Sequence, residues 1–270
     1  MDKSMSIPQL RLKSEEIRKR LMEVVYKAKA GHIGGDLSSL NVLTALYMRV
    51  MNVDAANPKM DGRDRFIMSK GHCVEALYCV LEAKGFITKE LVDTYGDYLS
   101  VLAGHPTIEV PGIEFNSGAL GHGLSIGVGC AIAAKMDKKP FRTYVLMGDG
   151  EQGEGSIYEA AMAGSNYKLD NLVAMIDRNG LQISDTTENV MKLDSINERW
   201  TASDGMCTKL TATTWKPSST VWKTSTTATA SPILWCCTPP RDSMCLTWKM
   251  CSNGTTACHR PMNMNRPSLR

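Results

Sequence analysis

Apolar side chains recur along the first part of the chain with two different spacings. Ile17, Leu21, Val24 and Val25 fall at helical intervals, and the stretch 10–30 around them is predicted to be an amphipathic helix. Stretches 39–50 and 74–84 carry the same spacing and are also predicted to be helices. Two short apolar runs differ. Run 142–147 stops at Gly148-Asp149-Gly150, and run 172–176 stops at Asp177-Arg178-Asn179-Gly180. Stretch 155–167 between them is rich in Ala, Glu and Met and is predicted to be a helix. Strand, helix and strand, with both strands apolar throughout, imply a parallel unit buried on both faces. The expected class is α/β, a doubly wound parallel sheet. Ligands of such sheets sit at the carboxyl ends of the strands, where both polar motifs fall.

Past Ala202 the pattern breaks. Stretch 203–270 contains no Glu, Phe or Tyr, and Asp204 and Asp242 are its only acids. It holds eight Lys and Arg, six of the nine Cys and four of the five Trp. The first 202 residues carry 23 basic and 26 acidic side chains, so the formal +3 of the whole chain comes from the tail alone. The basic balance therefore says nothing about nucleic acid, and none is expected as a partner. No apolar run is long enough for a transmembrane helix. Residues 1–13 lack the apolar centre of a signal peptide, so a cytoplasmic protein with no membrane association is expected.

Gly148-Asp149-Gly150 and Asn179 form the first chemical motif. Glycines let a diphosphate approach the backbone and leave N–H groups free to donate. A strand-end Asp and an Asn from the next strand offer hard oxygens to a cation such as Mg2+. Taken alone, Gly-Asp-Gly fits an ordinary turn as well. The second motif is a set of four Gly-His pairs, at His32, His72, His105 and His122. Imidazoles there can donate to phosphate or hydroxyl groups and move protons near pH 7; capped core or turn histidines are the plain alternative. No pair has the close spacing usual for zinc. The third motif is the glycine-rich loop 117–125, which can cradle a flat ring or let two helices pack closely. Glu151, Glu154 and Glu159 form a fourth cluster, for which a solvated helix face is the default.

These motifs together resemble the transketolases. Gly31-His32, the run Asp64 to His72 with its Ser-Lys-Gly-His ending, Gly104-His105-Pro106, Gly118-Ala119-Leu120-Gly121, and Gly148-Asp149-Gly150 through Asn179 occur in that family's order. The Ser-Lys-Gly-His form resembles the N-terminal subunit of split, two-chain bacterial transketolases. The resemblance covers residues 10–202 and implies the diphosphate-binding domain of a thiamine-diphosphate enzyme. It implies that Asp149, Asn179 and the Leu181 carbonyl hold Mg2+. It further implies that His72, Gly148 and Gly150 meet the diphosphate and that Gly118, Ala119 and Leu120 border the cofactor ring. His32 and His105 would serve the hydroxyl protons of a sugar phosphate. Glu154 is carried over with the cofactor-binding set and, with Glu159, lies near the family's subunit interface. The implied reaction moves a two-carbon ketol unit between sugar phosphates, with the cofactor as electron sink. The implied partner is a C-terminal subunit with the pyrimidine-binding domain, in a dimer of such pairs, and the chain alone is expected to be inactive. Alternatives are a decayed or non-catalytic binding subunit, or a related enzyme such as deoxyxylulose-phosphate synthase.

The tail fits a shifted reading frame. Trp248-Lys249-Met250-Cys251 forces a hidden Met, Leu or Val, then Glu, then Asn or Asp, then Val. Met262-Asn263-Met264-Asn265 forces two hidden Glu flanking Tyr or His. With one T lost after the Ala202 codon, 203–207 permits F-G-W-D-V, and 229–242 permits N-G-K-P-H-L-V-V-L-H-T-T-K-G. Domain 1–202 followed by a non-native, disordered tail 203–270 is therefore expected, together with loss of a sheet strand. A genuine divergent tail, Cys-rich and metal-binding, is the alternative, although Cys236-Cys237 and the gaps around it match no common zinc spacing.

Overall fold

The structure is a computed structural model. It describes residues 5–193 and 195–203, and the backbone of 206–211 and 233–238. Helix α1, Ile7–Ala28, starts from a capping box in which Ser6 and Gln9 bond each other's backbone, and ends at Lys29 in the left-handed region. Its Leu10, Ile17, Leu21, Val24 and Val25 are buried, as the spacing predicts. Helix α2, Ile33–Ala45, begins six residues before the predicted stretch and closes in a π-helical turn, Leu46–Val50. Gly34 and Gly35 hide its start in the sequence; Asp36 in its first turn faces the positive end of the helix dipole. Strand β1, Arg65–Met68, leads through a tight turn at 71–73 into α3, Val74–Lys84, and then α4, Lys89–Val92.

Helix α5, Gly123–Met136, precedes β2, Thr143–Gly148; α6, Gly155–Asn166, precedes β3, Leu172–Asp177. A small hairpin follows, β4 Leu181–Gln182 against β5 Asp185–Thr186, then α7, Thr187–Val190, and α8, Ile196–Thr201. Strands β6, Met206–Thr211, and β7, Ile233–Thr238, complete a five-stranded sheet in the order β1-β2-β3-β7-β6, all neighbours parallel.

Residues alternate across β2. Tyr144 and Leu146 join the core formed with α1, α2 and α3, whereas Val145 and Met147 join the core formed with α5 and α6. Both sheet faces are thus covered, and the expected doubly wound α/β class is the one observed. Burial of each such side chain contributes about 1.5–3 kcal/mol. Helix α5 lies close to the sheet because a Cβ at Gly127 would sit 2.5 Å from Val145 Cγ2.

The structure corrects one expectation. The strand expected to be missing beyond β3 is present as β7, with Val173 opposite Ile233 and Asp177 opposite Cys237. An apolar, β-prone run such as 233–237 takes an open sheet edge readily. Stretches 212–232 and 239–270 lie outside the described residues, and with them most of what the sequence suggests about the tail.

Candidate active site

Three strand ends build the site. β1 runs into Ser69-Lys70-Gly71-His72, β2 into Gly148-Asp149-Gly150 and β3 into Asp177-Arg178-Asn179. Parallel register sets Gly148 opposite Asp177, and Asp149 N donates to Asp177 O at 3.2 Å. The buried Asp149 carboxylate accepts from Gly150 N at 2.9 Å, Gly180 N at 2.8 Å and Thr187 Oγ1 at 3.0 Å. Burial pushes this carboxyl's pKa upward, and those three donors offset part of the rise. Asn179 Oδ1 accepts from Leu181 N at 3.0 Å and turns the chain into the β4–β5 hairpin. Asp149 is therefore bonded to the loop that carries Asn179 and Leu181. Gln182 Oε1 is buried there without a partner. The Gln182 side chain also lies where a Cβ at Gly150 would come within 2.9 Å of its Cδ. A hard-oxygen donor set beside an orphaned amide oxygen, with Gly150 packed against that amide, fits a divalent cation with a diphosphate.

The histidines gather on the β1 side. His32 caps α2 and His72 lies in the turn after β1, and their rings meet edge-on at 5.4 Å. His105 lies against Gly118, whose φ is 134° and where a Cβ would fall 2.5 Å from His105 Cδ2. A Cβ on Gly71 would strike Gly118 N at 2.8 Å. Three Gly-His turns and the glycine-rich loop thus meet through the His32–His72 ring contact, the His105 ring on Gly118 and the backbone approach of Gly71 to Gly118. The fourth, His122, is exposed at the start of α5, its Nδ1 3.1 Å from Leu120 O. Ala119 is exposed and Leu120 half-buried. Burial, then Lys70, His32 and His105, push the His72 pKa down to about 3. Burial and His105 also lower His32. At neutral pH both are uncharged imidazoles, each with one N–H donor and one acceptor nitrogen.

Beneath them Lys70 Nζ lies 2.5 Å from Asp177 Oδ2, both side chains 1% exposed. Ser38 also donates to that carboxylate, and Ser39 does so at 3.3 Å. The expectation for Glu151 is corrected. Rather than lying on a solvated face, Glu151 is buried and accepts from Ser69 Oγ, from Gly121 N at 2.9 Å and from Gly148 N at 2.9 Å. It fastens the glycine-rich loop to the ends of β1 and β2. Glu154 and Glu159 are exposed, with Glu154 backing Gly121. Lys70 falls within the Ser-Lys-Gly-His motif, but nothing in the sequence points to its partner. Asp177 offers no signal beyond its place at a strand end.

Residues 11–231 match the family described as transketolase, thiamine diphosphate binding domain. The chain belongs to the transketolase family. The match to this family runs past Ala202, further than the resemblance read from the sequence. The chain is 72% identical over 198 residues to one subunit of the apulose-4-phosphate transketolase of Phocaeicola vulgatus, covering 73% of this chain and 70% of that one. It is 42% identical over 187 residues to the 6-deoxy-6-sulfo-D-fructose transketolase subunit of Clostridium sp., 69% of this chain and 68% of that one. Among solved structures, transketolase from Campylobacter jejuni superposes with a TM-score of 0.81 at 26% identity over 87% of this chain. Transketolase from Pichia stipitis with sedoheptulose-7-phosphate gives 0.79 at 28% identity over 86% of this chain. The chain spans 38% and 36% of those two longer transketolases.

Proposed function

We propose that this chain is the diphosphate-binding, N-terminal subunit of a two-chain transketolase. It transfers a two-carbon ketol unit between sugar phosphates with thiamine diphosphate and Mg2+, and acts with a second subunit that carries the pyrimidine-binding domain. The meeting of His32, His72 and His105 with the carboxyl ends of β1, β2 and β3 carries this reading. The 72% identity to a transketolase subunit supports it.

In this reading Asp149, Asn179 and the Leu181 carbonyl hold Mg2+. His72, Gly148 and Gly150 bind the diphosphate, Gly118, Ala119 and Leu120 border the ring, and Glu154 supports that border from behind Gly121. When bound, thiamine diphosphate supplies the electron sink for the two-carbon unit. His32 and His105 accept protons from the sugar hydroxyls on ring nitrogens and return them. The neutral His32 ring suits this, because an uncharged imidazole can accept as well as donate. Two such pairs form the working dimer. A cytoplasmic location agrees with the described residues, among which no helix is long and apolar enough to cross a membrane.

The test mixes the purified chain with its pyrimidine-domain partner, thiamine diphosphate, Mg2+ and sugar phosphates, starting with the ketose 4-phosphate named for the P. vulgatus relative. Ketol transfer that needs both chains and disappears in Asp149→Ala is the expected result. Cofactor binding without transfer would instead make the chain a non-catalytic or decayed binding subunit.

We also infer that native sequence ends at Ala202 and that 203–270 is read in a shifted frame. The forced codons at 248–251 and 262–265 support this, since they restore Glu to a stretch that has none. Resequencing the codons for 200–205 decides it: a missing T supports the shift, and an unchanged reading in independent reads overturns it.

A further inference from the structure

Asp36 and Glu75 sit in the first turns of α2 and α3, at 0% and 1% exposure. Asp36 Oδ1 accepts from Ala76 N at 3.0 Å, and Glu75 Oε1 accepts from the Tyr95 hydroxyl. The bond to Ala76 N brings Asp36 to the start of α3 beside Glu75, where each carboxyl affects the other's titration. If both were ionised, Asp36 Oδ2 and Glu75 Oε2 would be buried acceptors with no donor, and both lack a partner. A single proton supplies both at once. It also removes a like-charge contact in a dry interior, where two neighbouring carboxylates do not both stay ionised.

We propose that Asp36 and Glu75 share one proton and that this pair is a positioning element for His32 and His72. The proposal rests on the reading of the site given above. Asp36 is the acid: burial, then the charge of Glu75, raise it well above an ordinary carboxyl. Glu75 is the carboxylate: burial raises it too, while the bonds from Tyr95 and Asp36 pull it back. The other groups facing the pair are Lys70, Cys73, Cys79, Tyr78 and Tyr95. Lys70 is already engaged by Asp177 and by Gly35 O at 3.3 Å. The tyrosines and thiols, their pKa values raised by burial, stay neutral.

The pair reaches the histidines through short paths. Asp36 N bonds His32 O at 3.0 Å, and a Cβ on Gly31 would sit 3.0 Å from Glu75 Oε1. Glu75 begins the helix that follows His72 directly. Tyr95, held by Glu75, packs in a tilted arrangement at 6.0 Å from Tyr78, whose hydroxyl donates to Ala103 O at 2.9 Å, two residues before His105. One proton therefore braces three loops that carry histidines.

Asp36→Asn keeps a donor toward Glu75 but cannot titrate, whereas Asp36→Ala leaves Glu75 Oε2 alone. Three readouts on the full chain test the pair. The infrared difference between wild type and Asp36→Asn at pH 7 should contain a protonated-carboxyl band. The folded state holds a proton that the unfolded chain releases above the ordinary carboxyl pKa. The pair's contribution is therefore complete below that pKa and shrinks as pH rises toward the folded value. The Tm of wild type relative to Asp36→Asn should show this decline as pH rises. Asp36→Ala should lower Tm by about 5 °C or more and shift the His32 and His72 ring resonances, while Asp36→Asn leaves both near wild type. Absence of the band, an unchanged pH slope, or Asn as damaging as Ala would each overturn the proposal. None of these readouts uses cofactor or turnover, so failure of the site reading shows separately, as a wild-type chain that does not bind thiamine diphosphate.

Discussion

Lys70 reaches from the end of β1, past β2, to place its ammonium 2.5 Å from the Asp177 carboxylate at the end of β3. Burial alone would pull the lysine's pKa down, but Asp177 more than reverses this and leaves it raised. On the lysine side the pair's stabilisation is thus intact at neutral pH and fades in strong alkali. Lys70→Met leaves a buried carboxylate without its cation and should cost about 3–5 kcal/mol. Urea unfolding at pH 7 measures this. Adding Asp177→Leu should recover much of the loss, and a double mutant as weak as the single one would count against the pairing.

Glu151 is the second fixed point. Glu151→Ala strands the N–H groups of Gly121 and Gly148, each at about 1–3 kcal/mol. The loop holding Gly118, Ala119 and Leu120 then loses its anchor. Calorimetric titration should show thiamine diphosphate binding about tenfold weaker or worse, a change of ~1.4 kcal/mol. Unchanged affinity would mean that the loop is held by something else.

The depressed His72 pKa gives a dependence on acid. The unfolded chain takes a proton on this residue near the ordinary histidine value of 6.5, but the folded chain does so only near 3. The resulting stability is present above about pH 6.5 and is lost as pH falls toward 3. The Tm of wild type relative to His72→Gln should fall across that window as pH drops. An NMR titration should find the His72 ring neutral from pH 5 to 8, and a midpoint near 6.5 would refute the burial argument.

Gly118 combines φ 134° with close contact to His105. Gly118→Ala must strain the backbone by about 1–3 kcal/mol and push the His105 ring aside. With the partner subunit present, kcat/KM for the sugar should fall well before cofactor affinity does. Equal losses in both would come from Gly118's own place on the ring border, and His105→Gln, which leaves that border intact, should lower kcat/KM alone.

The sequence shows the frame of this molecule better than its joints. Long periodic stretches such as α1 and α3, and the ends of β2 and β3, are legible from spacing and turn residues. β1 is not: Arg65-Phe66-Ile67-Met68 is four residues long, too short to show a period. The start of α2 is hidden by its paired glycines. Glu151 shares an acidic run with Glu154 and Glu159 and reads as solvated with them, because only the fold brings Gly121 and Gly148 to it. Asp36 and Glu75 are far apart in sequence and meet only when α2 packs on α3. Buried polar partners are long-range by nature, and a periodicity argument sees one element at a time.

His105 is exposed on this chain alone, whereas His32 and His72 are half-buried beside it. An acylating reagent in solution therefore has open access to one imidazole of the three and hindered access to the other two. Mass-spectrometric footprinting can turn that asymmetry into a gauge of assembly. The label on His105 marks an uncovered site, and its disappearance when the second chain or cofactor is added counts the sites that have closed, before any turnover is measured.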